Sequence, residues 1–138
     1  MSWLERTELL LGEEKLNRLK KTNVLVVGLG GVGAYAAEQI CRAGVGKMTI
    51  VDGDVVEESN RNRQLVALTS TYKKPKAEIL AARFRDINPE IELSVVNDFI
   101  EKEKITDLLK SQPFDYVVDA IDTLTPKVFL IKHQILLL

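Results

Sequence analysis

The chain has 138 residues, of which 46% are hydrophobic, a composition that fits one folded domain with a hydrophobic core. Its formal net charge of −1 excludes the bulk electrostatic attraction that draws basic proteins to nucleic acid or membranes. The single cysteine, Cys41, excludes an intramolecular disulfide. No signal-peptide pattern opens the sequence, and no apolar run reaches the roughly 20 residues that a membrane span needs. We therefore expect a cytoplasmic protein without a membrane segment.

Two short helices are predicted at the start, over residues 2–21, with a break near Gly12. The second helix has Glu13 and Glu14 early and basic residues late, the order that suits a helix dipole. Residues 23–28 form an apolar, β-branched run, which is typical of a buried strand. The chain is thus expected to enter a sheet directly after its N-terminal helices.

The segment that follows this strand, residues 28–33, reads Gly-Leu-Gly-Gly-Val-Gly. Such glycines allow a tight turn and a close approach of the backbone to a phosphate, and the next helix offers free N–H groups to anions. A second strand over residues 47–52 ends in Asp52, where a carboxylate can accept hydrogen bonds from ribose hydroxyls. This order predicts a bound nucleotide, with a ligand-free glycine turn as the alternative. It does not separate ATP from NAD.

The remaining elements alternate regularly between helices and strands. Pro75 opens a helix that Asn88-Pro89 ends, and a strand over 91–96, a helix over 101–110 and a strand over 114–120 follow. This alternation predicts an α/β fold, a Rossmann-like doubly wound, mainly parallel sheet covered by helices.

The end of the sequence is unusual for such a fold. Residues 131–138 are atypical because they are rich in leucine and isoleucine and have no polar stop, and four strands are few for a doubly wound sheet. We therefore expect residues 1–138 to be the nucleotide-binding part of an incomplete domain whose C-terminal half is missing. The tail is expected to pack into the core or against a second copy.

Three further features follow strands or lie on the loops beside them. Residues 59–64, Ser-Asn-Arg-Asn-Arg-Gln, combine two guanidinium groups with three amides, a set that suits phosphate oxygens, although a solvated loop is the alternative. Lys76, on a first helical turn, is misplaced for the dipole unless a polyphosphate lies nearby, although it could be one more exposed lysine. Asp122, after the fourth strand, could hold Mg²⁺ or simply end a turn.

These features favour ATP over NAD as the nucleotide. Hydride transfer needs neither Arg63, Lys76 nor a metal-binding carboxylate such as Asp122. Adenylyl transfer from Mg-ATP needs all three kinds of group, because charge develops on the α-phosphate and on the leaving pyrophosphate. Arg6, judged by its surroundings in the sequence alone, is only a surface arginine.

The combination of motifs also resembles a known family. The motifs are GLGGVG at 28–33, Asp-Gly-Asp at 52–54, SNRNRQ at 59–64, KPKAE at 74–78 and DAID at 119–122. Over residues 3 to 130 the chain resembles the ThiF/MoeB/HesA superfamily, relatives of ubiquitin-activating enzymes. Within it, the motifs look most like the branch of bacterial tRNA threonylcarbamoyladenosine dehydratases. Thr123 stands where MoeB-like and ThiF-like members usually have asparagine.

The resemblance implies a role for each motif. The glycine turn would line the phosphates, Asp52 would hold the ribose, and Asp122 would hold Mg²⁺. Arg6 would reach into the partner subunit's site in a homodimer. The nucleotide-binding residues would be Gly28, Gly30, Gly31, Gly33, Asp52, Asp54, Asn60, Arg63, Gln64 and Lys76. The catalytic residues would be Arg6, Arg63, Lys76 and Asp122.

The resemblance further implies a reaction in which a substrate carboxylate attacks the α-phosphate of ATP and forms an acyl-adenylate. In the dehydratase branch that carboxylate belongs to threonylcarbamoyladenosine in tRNA, and cyclisation then expels AMP. The alternatives are the C-terminal glycine of a small sulfur-carrier protein and, from another class, an NAD-binding domain. Cys41 is expected in the core, and His133 is expected to have no catalytic role.

Overall fold

The computed structural model describes the backbone of residues 2–137 and the side chains of residues 2–133. Helices and strands alternate after two N-terminal helices, as the sequence predicts. The elements are α1 (Glu5–Leu11), α2 (Glu13–Lys21), β1 (Asn23–Val27), α3 (Gly33–Arg42), β2 (Lys47–Val51), α4 (Lys76–Ile87), β3 (Glu92–Val96), α5 (Lys102–Ser111), β4 (Tyr116–Asp119) and α6 (Leu124–Leu137). Two single 3₁₀ turns, Glu58–Asn60 and Thr69–Thr71, lie between β2 and α4.

The sheet has four parallel strands in the order β3-β2-β1-β4, which confirms the predicted α/β class. The predicted strands were too long by one or two residues at an end, so Asp52 follows β2 instead of ending it. Val27 pairs with Val51 on one side and with Asp119 on the other, so these three strands end level with each other. The chain leaves β1 toward β2 on one side and returns with β4 on the other, which opens a crevice between β1 and β4.

The strand β1 is buried along its whole length because helices cover both faces of the sheet. Val24 and Val26 point to the apolar cluster formed with α3 and α4. Leu25 and Val27 point to a second cluster, formed with α5 and α6. Burial on both faces explains why the strand is apolar after its first residue, Asn23. Each buried valine or leucine contributes about 1.5–3 kcal/mol.

Helix α3 lies close to the sheet because its inward residues are small. Ala34, Ala37 and Cys41 are fully buried, whereas Ala36 and Ile40 are only half-buried. The Cys41 thiol lies 3.6 Å from the Phe84 carbonyl oxygen, and burial raises its pKa to about 11. The expectation that Cys41 is a core residue is confirmed.

The C-terminal segment forms helix α6, with Pro126 in its first turn. Leu130 is fully buried in the second cluster, and His133 stacks on Phe129 with ring centroids 3.8 Å apart. The side chains of residues 134–138, on which much of the prediction about the tail depends, lie outside the described residues. No helix in the described part of the chain has the length and apolar character to cross a membrane.

Candidate functional site

A cleft of about 440 Å³ lies at the carboxyl ends of the strands. Its walls are the residues that follow the four strands and the first turn of α4, so it occupies the crevice where ligands bind in open α/β sheets. The structure brings seven of the predicted site residues to this cleft: Gly28, Gly30, Asp52, Asp54, Gln64, Lys76 and Asp122.

The glycines of the turn have two different roles in the structure. Gly28 has a φ of +91°, and a Cβ there would lie 2.6 Å from the Ala120 carbonyl oxygen. A Cβ on Gly33 would overlap the carbonyl oxygen of Gly28. A Cβ on Gly30 would meet only Gln64 Nε2, at 3.7 Å. Gly28 and Gly33 therefore let the turn pack against β4, while Gly30 leaves an open backbone surface in the cleft.

Asp52 connects the glycine turn to the end of β2. Its Oδ2 accepts a 2.7 Å hydrogen bond from the Leu29 N–H, and its Oδ1 accepts one of equal length from the Asp54 N–H. The sequence predicted a ribose contact and missed these two bonds. A carboxylate has about four acceptor positions, so two are left for a ligand in the cleft.

Lys76 is only 5% exposed, so the alternative of one more exposed lysine is wrong. Its side-chain Nζ lies 3.6 Å from Asp54 Oδ2, and its backbone N–H donates to the Asp54 carbonyl oxygen at 3.0 Å. The Asp54 side chain is 57% exposed, so this pair is loose. A desolvated ammonium group with one loose partner attracts anions strongly. Lys76 lines the same cleft as the open glycine backbone.

Gln64 also lines the cleft, and its Nε2 lies 3.7 Å from the position of a Cβ on Gly30. It is 9% exposed, and its Oε1 has no hydrogen-bond partner among the described residues. A buried amide without partners is costly in a folded protein. This residue therefore points to a ligand or water that would satisfy it.

Arg63 and Asn60 lie beside the cleft and do not line it. The Cγ of Arg63 lies 3.4 Å from the position of a Cβ on Gly31, so its stem covers that glycine. Its exposed Nη1 donates to Ser59 O at 3.1 Å and to Asn62 Oδ1 at 2.9 Å. Asn60 Oδ1 accepts the Glu57 N–H at 2.9 Å and so caps a 3₁₀ turn. In this structure, Asn60 therefore stabilises the loop.

The aspartate that ends β4, Asp119, and the one that follows the strand, Asp122, differ in their contacts. Asp119 accepts hydrogen bonds from the Ile121 N–H at 3.1 Å and pairs with Lys127 Nζ at 3.0 Å. Asp122 is exposed in the cleft, and its one described side-chain contact is Thr123 Oγ1 at 3.5 Å. Asp122 is thus the acid of this pair that can accept a ligand.

The described residues contain no group of three or more histidine, cysteine or acidic side chains that could hold a metal ion by itself. Mg²⁺ at phosphate sites commonly has one or two carboxylate ligands, with water and phosphate oxygens as the others. A single free carboxylate, Asp122, therefore fits a metal that arrives with a polyphosphate, and does not fit a metal site made of protein alone.

Glu38, a buried acid on α3, was not predicted from the sequence. Its carboxylate pairs with Arg83 of α4 at 2.6 Å and with Arg42 at 2.9 Å. The hydrogen bond from Arg83, with help from Arg42, lowers the pKa of Glu38 despite its burial. The pair joins the helix after the glycine turn to the helix that carries Lys76. The sequence did contain a signal for this buried ion pair: an acidic residue on a helix face that otherwise carries small apolar residues.

Arg6 lies on α1, exposed to solvent and outside the cleft of its own chain.

The sequence of the chain matches the family described as "ThiF family" over residues 4–135. It is 45% identical over 128 residues to the tRNA threonylcarbamoyladenosine dehydratase of Bacillus subtilis, with 93% of this chain and 50% of the relative covered. It is 34% identical to the sulfur carrier protein adenylyltransferase of Thermus thermophilus, with 93% of this chain and 46% of the relative covered. Its fold matches the crystal structure of E. coli tRNA N6-threonylcarbamoyladenosine dehydratase in complex with ATP, with a TM-score of 0.88 and 41% sequence identity. The match covers 93% of this chain and 52% of the E. coli chain.

The chain spans about half the length of the curated relatives it matches.

Proposed function

The chain belongs to the ThiF family, and we propose that its cleft binds ATP and that the protein activates a substrate carboxylate by adenylation. Residues 1–138 would be the nucleotide-binding part of the ThiF-type domain. The observation that carries the proposal is the position of Lys76, a buried lysine in the lining of a cleft that is also lined by open glycine backbone. The relative whose structure contains ATP supports this nucleotide.

The residues around the cleft suit the charge changes of the reaction. A carboxylate oxygen of the substrate would attack the α-phosphorus, and the bond to the leaving pyrophosphate would break. Lys76 would stabilise the negative charge on the phosphates, with Arg63 and Gln64 as further donors. Mg²⁺ bound with the phosphates would add positive charge, and Asp122 would hold it.

We propose threonylcarbamoyladenosine in tRNA as the substrate that carries the carboxylate. Two relatives at 45% and 41% identity carry the name of the dehydratase that acts on it. Thr123 after Asp122, in place of asparagine, agrees with this branch. The C-terminal glycine of a sulfur-carrier protein is the second candidate, because a relative at 34% identity is a sulfur carrier protein adenylyltransferase. Either acceptor would be met in the cytoplasm.

A homodimer belongs to the same proposal. Arg6 is exposed and lies outside the cleft of its own chain, as expected of a residue that serves the site of a partner subunit.

Calorimetric titration of the chain with Mg-ATP and, separately, with NAD would test the choice of nucleotide. We expect tighter binding of Mg-ATP, because Lys76 and Asp122 suit a metal-bound triphosphate. Tighter binding of NAD would overturn the adenylation proposal and favour a redox or regulatory domain.

The acceptor is tested separately, by release of pyrophosphate from ATP by the protein. Release that depends on tRNA containing threonylcarbamoyladenosine would support the first substrate. Release that depends instead on a sulfur-carrier protein would support the second.

A further inference from the structure

Lys127 reaches back from the first turn of α6 to the end of β4. Its Nζ donates to Asp119 Oδ2 at 3.0 Å and to the Ile121 carbonyl oxygen at 3.3 Å. Its backbone N–H donates to the Thr123 carbonyl oxygen at 3.3 Å. These three partners flank Asp122 on both sides along the chain. One residue thus fixes the segment that presents the free carboxylate to the cleft.

Asp119 completes this arrangement from the other side. Its Oδ1 accepts the Ile121 N–H at 3.1 Å, so Asp119 fixes the peptide group before Ile121 and Lys127 fixes the one after it. The side chains of Asp119 and Lys127 are 16% and 37% exposed, which shields their pair from water more than a surface pair. The Asp122 side chain is outside this network and remains available in the cleft.

The position of Lys127 is unfavourable for a helix considered alone. The first turn of a helix carries partial positive charge, so a lysine there is destabilising unless an anion lies beside it. Asp119 is that anion. The pair also neutralises the charge of Asp119, which leaves Asp122 as the uncompensated acid at the end of β4. Lys127 itself does not line the cleft, so any effect on a ligand must pass through the segment that it holds.

We propose that Lys127 is a positioning residue that holds Asp122 in the geometry needed to take the metal of a metal–nucleotide complex. The inference rests on the proposed function, since it requires ATP and Mg²⁺ in the cleft. It assigns different roles to the two aspartates of the DAID segment: Asp119 anchors Lys127, and Asp122 meets the metal.

The test is the Mg²⁺ dependence of ATP binding, measured by calorimetry on the chain with Lys127→Met. We expect the Mg²⁺ concentration at half-maximal enhancement to rise about tenfold, the scale on which metal sites respond when a partner behind a ligand is lost. ATP binding in EDTA should change less than about twofold, because Lys127 lies outside the cleft. Lys127→Arg should restore the wild-type dependence, since a guanidinium can pair with Asp119.

Lys132→Met is the matched control, because Lys132 is an exposed lysine farther along the same helix. It should leave the Mg²⁺ dependence unchanged. The positioning role would be overturned if Lys127→Met left the Mg²⁺ dependence unchanged. It would also be overturned if the variant lost as much ATP affinity in EDTA as in Mg²⁺. If Lys127→Met does not fold, Asp119→Asn tests the same link, and an unchanged Mg²⁺ dependence in that variant would overturn it too. Failure of the wild-type chain to bind ATP would instead reject the proposed function.

Discussion

The backbone N–H of Leu29, inside the glycine turn, donates a 2.7 Å hydrogen bond to Asp52 Oδ2 at the end of the neighbouring strand. The two residues are 23 positions apart in the chain. The parallel register that places Val27 opposite Val51 brings them together. The turn that faces the cleft is therefore shaped by a side chain from outside the turn, which makes Asp52 a structural residue as well as a candidate ligand of ribose.

Asp52→Ala should weaken both the fold and ATP binding. It removes two hydrogen bonds to a charged acceptor, which should lower the free energy of unfolding by about 2 kcal/mol. ATP affinity should fall more than the rate of adenylation, because a ribose contact is remote from the reacting phosphorus. Denaturant unfolding, calorimetry and pyrophosphate exchange measure the three quantities. A variant with wild-type stability and ATP affinity would contradict both roles.

Alanine at Gly30 and at Gly33 should have opposite effects on folding and binding. A methyl group on Gly30 meets only the end of the Gln64 side chain, so Gly30→Ala should retain its melting temperature and lose ATP affinity. A methyl group on Gly33 overlaps backbone, so Gly33→Ala should destabilise the chain. Thermal unfolding and calorimetry on both variants separate the effects. ATP binding by Gly30→Ala at wild-type affinity would remove that glycine from the phosphate site.

Lys76→Met should lower adenylation by about 100-fold or more, the scale seen when one preorganised donor to a developing charge is removed. Methionine keeps much of the buried volume, so the fold should persist. Lys74→Met is the control, because Lys74 is an exposed lysine two positions before Lys76. Pyrophosphate exchange by the protein is the measurement. Equal rates in the two variants would exclude Lys76 from the reaction, and Arg63→Ala can be judged against the same control.

Asp122→Asn should abolish the enhancement of ATP binding by Mg²⁺ without lowering thermal stability. An amide is a weaker ligand than a carboxylate for this hard cation, and Asp122 takes little part in the hydrogen bonds that hold the fold. Asp107→Asn, at an exposed position on α5, is the control for a simple loss of charge. If Asp122→Asn binds Mg-ATP as the control does, the metal is held elsewhere.

Glu38→Gln should destabilise the chain in a manner that depends on pH. Pairing with Arg83 lowers the pKa of Glu38 in the folded state, so its stabilising effect is present above the unfolded pKa of about 4.3. That effect is lost as the pH falls through the folded pKa. The difference in unfolding free energy between wild type and variant should therefore be about 2 kcal/mol at pH 7 and shrink below pH 4. Denaturant titrations across this range measure it, and a constant difference would contradict the electrostatic cause.

The sequence predicted the order and type of the elements because hydrophobic periodicity and glycine turns are local signals. It also indicated that Asp52, Gln64, Lys76 and Asp122 follow strands or lie on the loops beside them, and the parallel strands bring them to one edge of the sheet. It did not predict which of these side chains would also form structural hydrogen bonds or be buried. The bond from Leu29 to Asp52 depends on strand register, and the burial of Lys76 depends on how the loop before α4 folds back. Glu38 and Arg83 meet only when two helices pack side by side.

The burial of Cys41 has a practical consequence for the experiments on this chain. A thiol reacts with maleimides and disulfide reagents through its thiolate, and a raised pKa together with enclosure in the core suppresses that form. Because Cys41 is the only cysteine in the sequence, a second cysteine placed at an exposed site would be the one that reacts. Position 123, which is exposed and lines the cleft, would then accept a single fluorescent reporter of nucleotide binding, and no native thiol would have to be removed.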